Sequence, residues 1–165
     1  MIRFLKGFKF AFDGIIGCLK TERNMRIHFC AGFYVLIFMQ FYDLSASQKA
    51  LIFMMIGSVI SAEAINTAIE AAVDLASPET HPLARLAKDA AAGAVLVLAV
   101  AAAASGIVVF LDGQKLLEIF AWFKEHTAAL AAMIISVFAW VYFITRPCKK
   151  PNAEQTADDN KKDNK

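Results

Sequence analysis

Charge is missing from this sequence where a soluble protein would need it. Residues 90–111, 22 in a row, and residues 127–145, 19 in a row, contain no Asp, Glu, Lys or Arg. Such runs match the roughly 20 apolar residues that cross a bilayer. With 58% hydrophobic residues and a mean hydropathy of +0.52, they exclude an ordinary soluble domain of this size. Cysteine is scarce: Cys18, Cys30 and Cys148 are odd in number and lack C-x-x-C spacing. That excludes a disulfide framework and a thiolate metal cluster, and the three read as reduced. No G-x-x-x-x-G-K-[ST] loop occurs, so a P-loop nucleotide site is excluded. Arg3, Lys6, Lys9, Asp13 and Lys20 interrupt the first 20 residues, which therefore lack the apolar centre of a cleavable secretion signal. No internal repeat is visible.

What is present is an all-α pattern. Two further apolar stretches, 27–42 and 50–73, bring the expected spans to four; the first is short but lengthens by tilting and by snorkelling of Arg26. Residues 3–20 alternate Phe4, Leu5, Phe8, Phe12, Ile15, Ile16 and Leu19 with Lys6, Lys9, Asp13 and Lys20 at helical spacing, which predicts an amphipathic surface helix. Residues 112–126 predict a second interfacial helix anchored by Leu116, Leu117, Ile119, Phe120, Trp122 and Phe123. The expected architecture is thus an integral membrane helical bundle: a core over 1–112 (surface helix and three transmembrane helices), an interfacial helix and an additional fourth transmembrane helix over 113–146, and a disordered tail over 147–165. Span two is stopped by Ser77-Pro78 and span four by Arg146-Pro147. The segment 79–89 is polar and expected on the cytoplasmic side. Fourteen Lys and Arg lie before span one, between spans two and three, and after span four; three lie in the other loops. By the positive-inside rule both termini face the cytoplasm.

Span two is the exception to the apolar pattern. Glu63, Asn66, Glu70 and Asp74 stand at i, i+3, i+7 and i+11, so they form one narrow stripe on a helix. A carboxylate in hydrocarbon costs at least ~2.5 kcal/mol, and three on one stripe require an interior, an aqueous cleft, cations or one another. An interhelical hydrogen-bond network, a cation or proton pathway, and a metal–nucleotide site all use these groups. The surroundings favour the last. Mg²⁺ takes one or two carboxylates together with phosphate oxygens; Glu22 stands at the matching end of span one; Lys88 and Asp89 open span three on the same side, where a lysine holds phosphate as a point charge. His81 lies in the adjoining loop.

The string EAINTAIEAAVD over 63–74, His81, AKDAAAGAV over 87–95 and ERNMRIH over 22–28 together resemble the prokaryotic diacylglycerol kinase family. The resemblance covers about residues 3–112; span four lies outside the family's three-span core. It implies a bacterial inner-membrane lipid kinase, a homotrimer with active sites shared between neighbouring subunits, using ATP and Mg²⁺. By motif it implies Glu63 as the general base on the lipid hydroxyl, and Glu22 and Glu70 as metal ligands. Asn66, Asp74, Lys88 and Asp89 would attend the nucleotide phosphates, Glu79 and His81 the nucleoside, and Arg3, Arg26 and Ala92 the lipid. Glu63 is about 10 Å deeper than Glu70 by helix rise, which suits a base that meets its substrate from the bilayer while ATP arrives from the cytoplasm.

The family holds kinases of diacylglycerol and of undecaprenol. Residues 22–28 and 88–95 resemble the undecaprenol group, and Ala91-Ala-Gly93 stands where the diacylglycerol type has Gly-Ser-Ala, removing a hydroxyl that could meet a glycerol ester. The sequence therefore leans to undecaprenol, with diacylglycerol as the alternative. Outside the family reading stand a small cation or proton transporter and a catalytically silent assembly subunit.

Overall fold

The computed structural model describes residues 2–77 and 81–148, with side chains from Lys6 onward. Among these residues there are only helices: α1 (Ile2–Thr21), α2 (Arg23–Phe38), a 3-10 turn (Met39–Phe41), α3 (Ala46–Ala76), α4 (Pro82–Phe110), α5 (Gly113–Glu125) and α6 (Thr127–Thr145). The expected tail falls largely outside the described residues, as do Glu79 and the side chain of Arg3.

The helix starts are written locally. Ser45 Oγ accepts from the Gln48 amide while Gln48 Oε1 accepts from the Ser45 amide, a reciprocal cap that opens α3. Asp112 caps α5 through the amides of Gln114 and Lys115. Within α5, Lys115 pairs with Glu118 at 2.9 Å, which holds its ammonium above the usual lysine range. Helix α4 begins at Pro82, eight residues before the charge-free run, so the polar segment is helical from Pro82 onward. The reason is Pro82 at the first turn, where its missing N–H costs nothing, and His81 Nδ1 accepting from the Leu83 amide at 3.2 Å.

Among the described residues three helices, α3, α4 and α6, are long and apolar enough to cross a membrane. Helix α2 has 16 residues, about 24 Å, and the 3-10 turn continuing from it brings the rod to about 30 Å. The chain runs up and down, so that α2 and α4 start, and α3 and α6 finish, at the end of the bundle where α1 lies. At the other end Tyr42 Oη donates to the Phe110 carbonyl at 2.8 Å, and Phe41 packs edge-on against Trp122 at 5.1 Å.

Helix α3 packs along α4 and, on another side, against α2. Gly32 permits the second approach: a β-carbon there would stand 3.1 Å from Ile56 Cγ2. Helix α6 lies on α2 through Tyr34 Oη and Ser136 Oγ, 3.0 Å apart, and through the Phe33 and Trp140 rings, 5.8 Å between centroids. No residue of α6 is buried, and Val108, Ile135 and Phe138 are largely exposed, as expected where the solvent is lipid. The buried polar groups are Arg26, Glu63 and Asn66. An apolar outside enclosing a few polar groups is the membrane arrangement.

Candidate active site

The stripe of α3 turns inward. Glu63 is 1% exposed and Asn66 7%; Glu70 is half-buried and Asp74 exposed, so the seam runs from the bundle interior to its surface over three turns. Asn66 Nδ2 donates to Glu70 Oε1 at 3.0 Å, an i,i+4 pair that fixes the carboxylate. That leaves Asn66 Oδ1 buried with no hydrogen-bond partner among the described residues. Such an acceptor costs on the order of 1–3 kcal/mol if nothing meets it. Thr67 Oγ1 bonds back to the Glu63 carbonyl at 3.0 Å, keeping its hydroxyl out of the seam.

Glu22 reaches the seam from a corner. Its amide continues the ladder of α1, donating to the Cys18 carbonyl at 2.8 Å, while its extended backbone makes it the residue that opens α2. Glu63 and Glu70 share one face of α3 two turns apart, and Glu22 stands at the α1–α2 corner, at the end of the bundle where α3 finishes. Lys88 on α4 bonds Asp74 on α3, closing the mouth of the seam across the α3–α4 hairpin. Asp89 turns away to Arg85, at 3.6 Å on an exposed face, a pair worth little. His81 is engaged through Nδ1 in capping α4. Ala92 is exposed on α4.

Arg26, which the resemblance assigns to the lipid, is 4% exposed and donates to four main-chain carbonyls: Leu19 at 2.7 Å, Lys20 at 2.8 Å, Phe143 at 3.0 Å and Arg146 at 2.8 Å. Sequence reasoning missed this clamp because carbonyls carry no sequence signature. One turn from Glu63, beginning at Val59, an open apolar cleft of about 240 Å³ lies between α2, α3 and α4, lined by Gly32, Ile52, Ile56, Ala102 and Gly106 among others.

The described geometry is a buried carboxylate, Glu63, on one face with the shallower Glu70, a Lys88–Asp74 pair at the outer end of that face, and an apolar cleft one turn away. The prokaryotic diacylglycerol kinase family matches residues 9–110, more than half of the chain. The chain belongs to that family. Within it, the chain is 47% identical over 109 residues to an undecaprenol kinase of Bacillus subtilis (strain 168), covering 66% of this chain and 89% of that protein. It is 39% identical over 103 residues to a diacylglycerol kinase of Synechocystis sp. (strain ATCC 27184 / PCC 6803 / Kazusa), covering 62% of this chain and 59% of that one. Membership makes this an ATP-dependent lipid kinase. Helices α5 and α6 lie beyond the family match.

Proposed function

We propose that the chain transfers the γ-phosphate of ATP to the hydroxyl of undecaprenol, giving undecaprenyl phosphate and ADP. What supports this is a buried Glu63 on the same face of α3 as Glu70, one turn from an apolar cleft, in a chain of this kinase family. Phosphoryl transfer asks for positioning and for neutralisation of phosphate charge. Glu63 accepts the hydroxyl proton as the lipid oxygen attacks the γ-phosphorus and the bond to the ADP oxygen breaks. Lys88, steered by Asp74, receives the phosphates at the mouth. By the family motif Asp89 would attend the phosphates, and His81 and Glu79 the nucleoside, Glu79 lying outside the described residues. The prenyl tail follows the cleft past Val59, and by the family motif Ala92 would also meet the lipid.

Among the described residues no group of three or more His, Cys, Asp and Glu is placed to hold a metal ion; Mg²⁺ asks for only one or two carboxylates, with waters and phosphate oxygens beside them. Glu22 and Glu70 would hold it, with the orphaned Asn66 Oδ1 available to a bound water. When bound, it would neutralise the phosphates. The assembly is a homotrimer in the bacterial inner membrane with active sites shared between subunits and both termini in the cytoplasm. Undecaprenol is favoured over diacylglycerol by the Ala91-Ala-Gly93 sequence and by the long match to the Bacillus subtilis protein.

Purified protein assayed side by side with undecaprenol and diacylglycerol, with and without Mg²⁺, tests the proposal. Lipid-dependent ADP release is expected, faster with undecaprenol and abolished by chelation. Faster release with diacylglycerol would reassign the substrate. Ion flux in liposomes without ATP consumption would favour the transporter reading.

A further inference from the structure

Arg26 stands one turn beyond Glu22, and its side chain is 4% exposed. On one side its Nε and Nη2 donate to the carbonyls of Leu19 and Lys20, the last turn of α1 leading into Glu22. On the other, Nη1 donates to the carbonyls of Phe143 and Arg146 at the finish of α6, and the Phe143 ring lies 5.1 Å from the guanidinium. All four acceptors belong to helix C-termini, where carbonyls lack intrahelical partners and carry the negative end of the dipole. One buried cation therefore joins two helix ends, and only Thr21 separates its acceptor Lys20 from Glu22.

We propose that α6 braces the metal site: through Arg26 it fixes the α1–α2 corner and so sets where Glu22 presents its carboxylate to Glu70. The inference rests on the reading of Glu22 and Glu70 as Mg²⁺ ligands. Arg26 is a positioning residue, since its bonds go to main-chain carbonyls of α1 and α6. If α6 leaves α2, two of the four acceptors go with it, and a buried guanidinium keeps N–H groups without partners, a costly state. The corner then relaxes and Glu22 spends less time opposite Glu70. Loss of a supporting partner of this kind typically weakens metal binding by about tenfold or more. The rest of the α6 seam, Tyr34 with Ser136 and Phe33 with Trp140, holds the brace in place without touching the site.

The test uses the full chain in lipid nanodiscs, titrated with Mn²⁺ alone and followed by electron paramagnetic resonance, with no ATP and no lipid alcohol present. Amide hydrogen exchange is measured over residues 17–26 in parallel. Arg26→Lys keeps the charge but loses the planar fork. The double variant Ser136→Leu with Trp140→Ala unseats α6 from a distance and stands in if Arg26→Lys fails to fold. Glu70→Gln serves as the metal control. We expect the Mn²⁺ dissociation constant to rise about tenfold in both Arg26→Lys and the α6 variant, with faster exchange over 17–26 and unchanged exchange along α3 and α4. An α6 variant that binds Mn²⁺ as tightly as the parent chain overturns the brace, as does unaltered exchange at the corner. Parent-like Mn²⁺ binding by Glu70→Gln would instead remove the metal reading itself.

Discussion

Glu63 and Glu70 lie on the same face of one helix, two turns apart, yet one is 1% exposed and the other half-buried. The deeper group suits proton transfer to a substrate arriving through lipid, the shallower one cation binding. A positioned general base is worth about 10²–10⁴ in rate. Glu63→Gln should therefore lower kcat by that factor while leaving Mn²⁺ binding in place, measured by lipid-dependent ADP release beside the resonance titration. Asn66 donates to Glu70 at 3.0 Å, and hydrogen bonds to charged groups contribute about 1.5–3 kcal/mol. Asn66→Ala should raise the Mg²⁺ concentration for half-maximal rate by roughly tenfold, with little change in the KM for lipid; a lipid-only effect would place Asn66 with the alcohol. The i, i+3, i+7, i+11 spacing made this seam readable before any coordinates, because a helix converts spacing directly into a face. The role of Arg26 was not readable, because its partners are carbonyls of helix ends brought together from residues 19, 20, 143 and 146.

At the scale of elements, charge-free runs located two of the membrane helices, and Ser77-Pro78 and Arg146-Pro147 marked where spans two and four stop. The start of α4 was less legible: Pro82 and the His81 cap begin the helix well before its apolar part, which is what carries Lys88 to Asp74 on a rigid support. Helix α2 depends on Gly32, where a β-carbon would already press Ile56. Gly32→Val adds branched bulk at that contact, and overpacking of this kind costs about 1–3 kcal/mol. A lowered thermal midpoint in detergent is expected, with a loss of activity that follows unfolding; an unchanged midpoint would show that α2 and α3 pack more loosely than described.

For the whole molecule, the distribution of lysine and arginine predicts which way the bundle faces, and the coordinates add a reporter. Cys148 is exposed, whereas Cys18 and Cys30 are partly covered. In a Cys18→Ala, Cys30→Ala background, a membrane-impermeant maleimide should label Cys148 only after the cells are opened. Labelling of intact cells would invert the orientation and put the Glu22–Glu70 seam on the wrong side for ATP. The family's core could be recognised in the sequence from a handful of strings, but the docking of the extra helix could not, since α6 is uniformly apolar and carries no periodic signal for the face that meets α2.

The transmembrane rods are of unequal length: α3 has 31 residues and α4 29, against 19 in α6. By helix rise these are about 46, 44 and 28 Å, and of the three only the last matches the hydrocarbon thickness of a bilayer, roughly 30 Å. Helix α6 thus has the least length to spare against hydrophobic mismatch among these three, and it terminates on the guanidinium of Arg26. Thick bilayers would pull that anchor inward or force thinning around it, at fractions of a kcal/mol per Å. Reconstitution across a series of phosphatidylcholine chain lengths should accordingly shift the Mg²⁺ requirement of this kinase, and the Ser136→Leu, Trp140→Ala variant should no longer respond to membrane thickness.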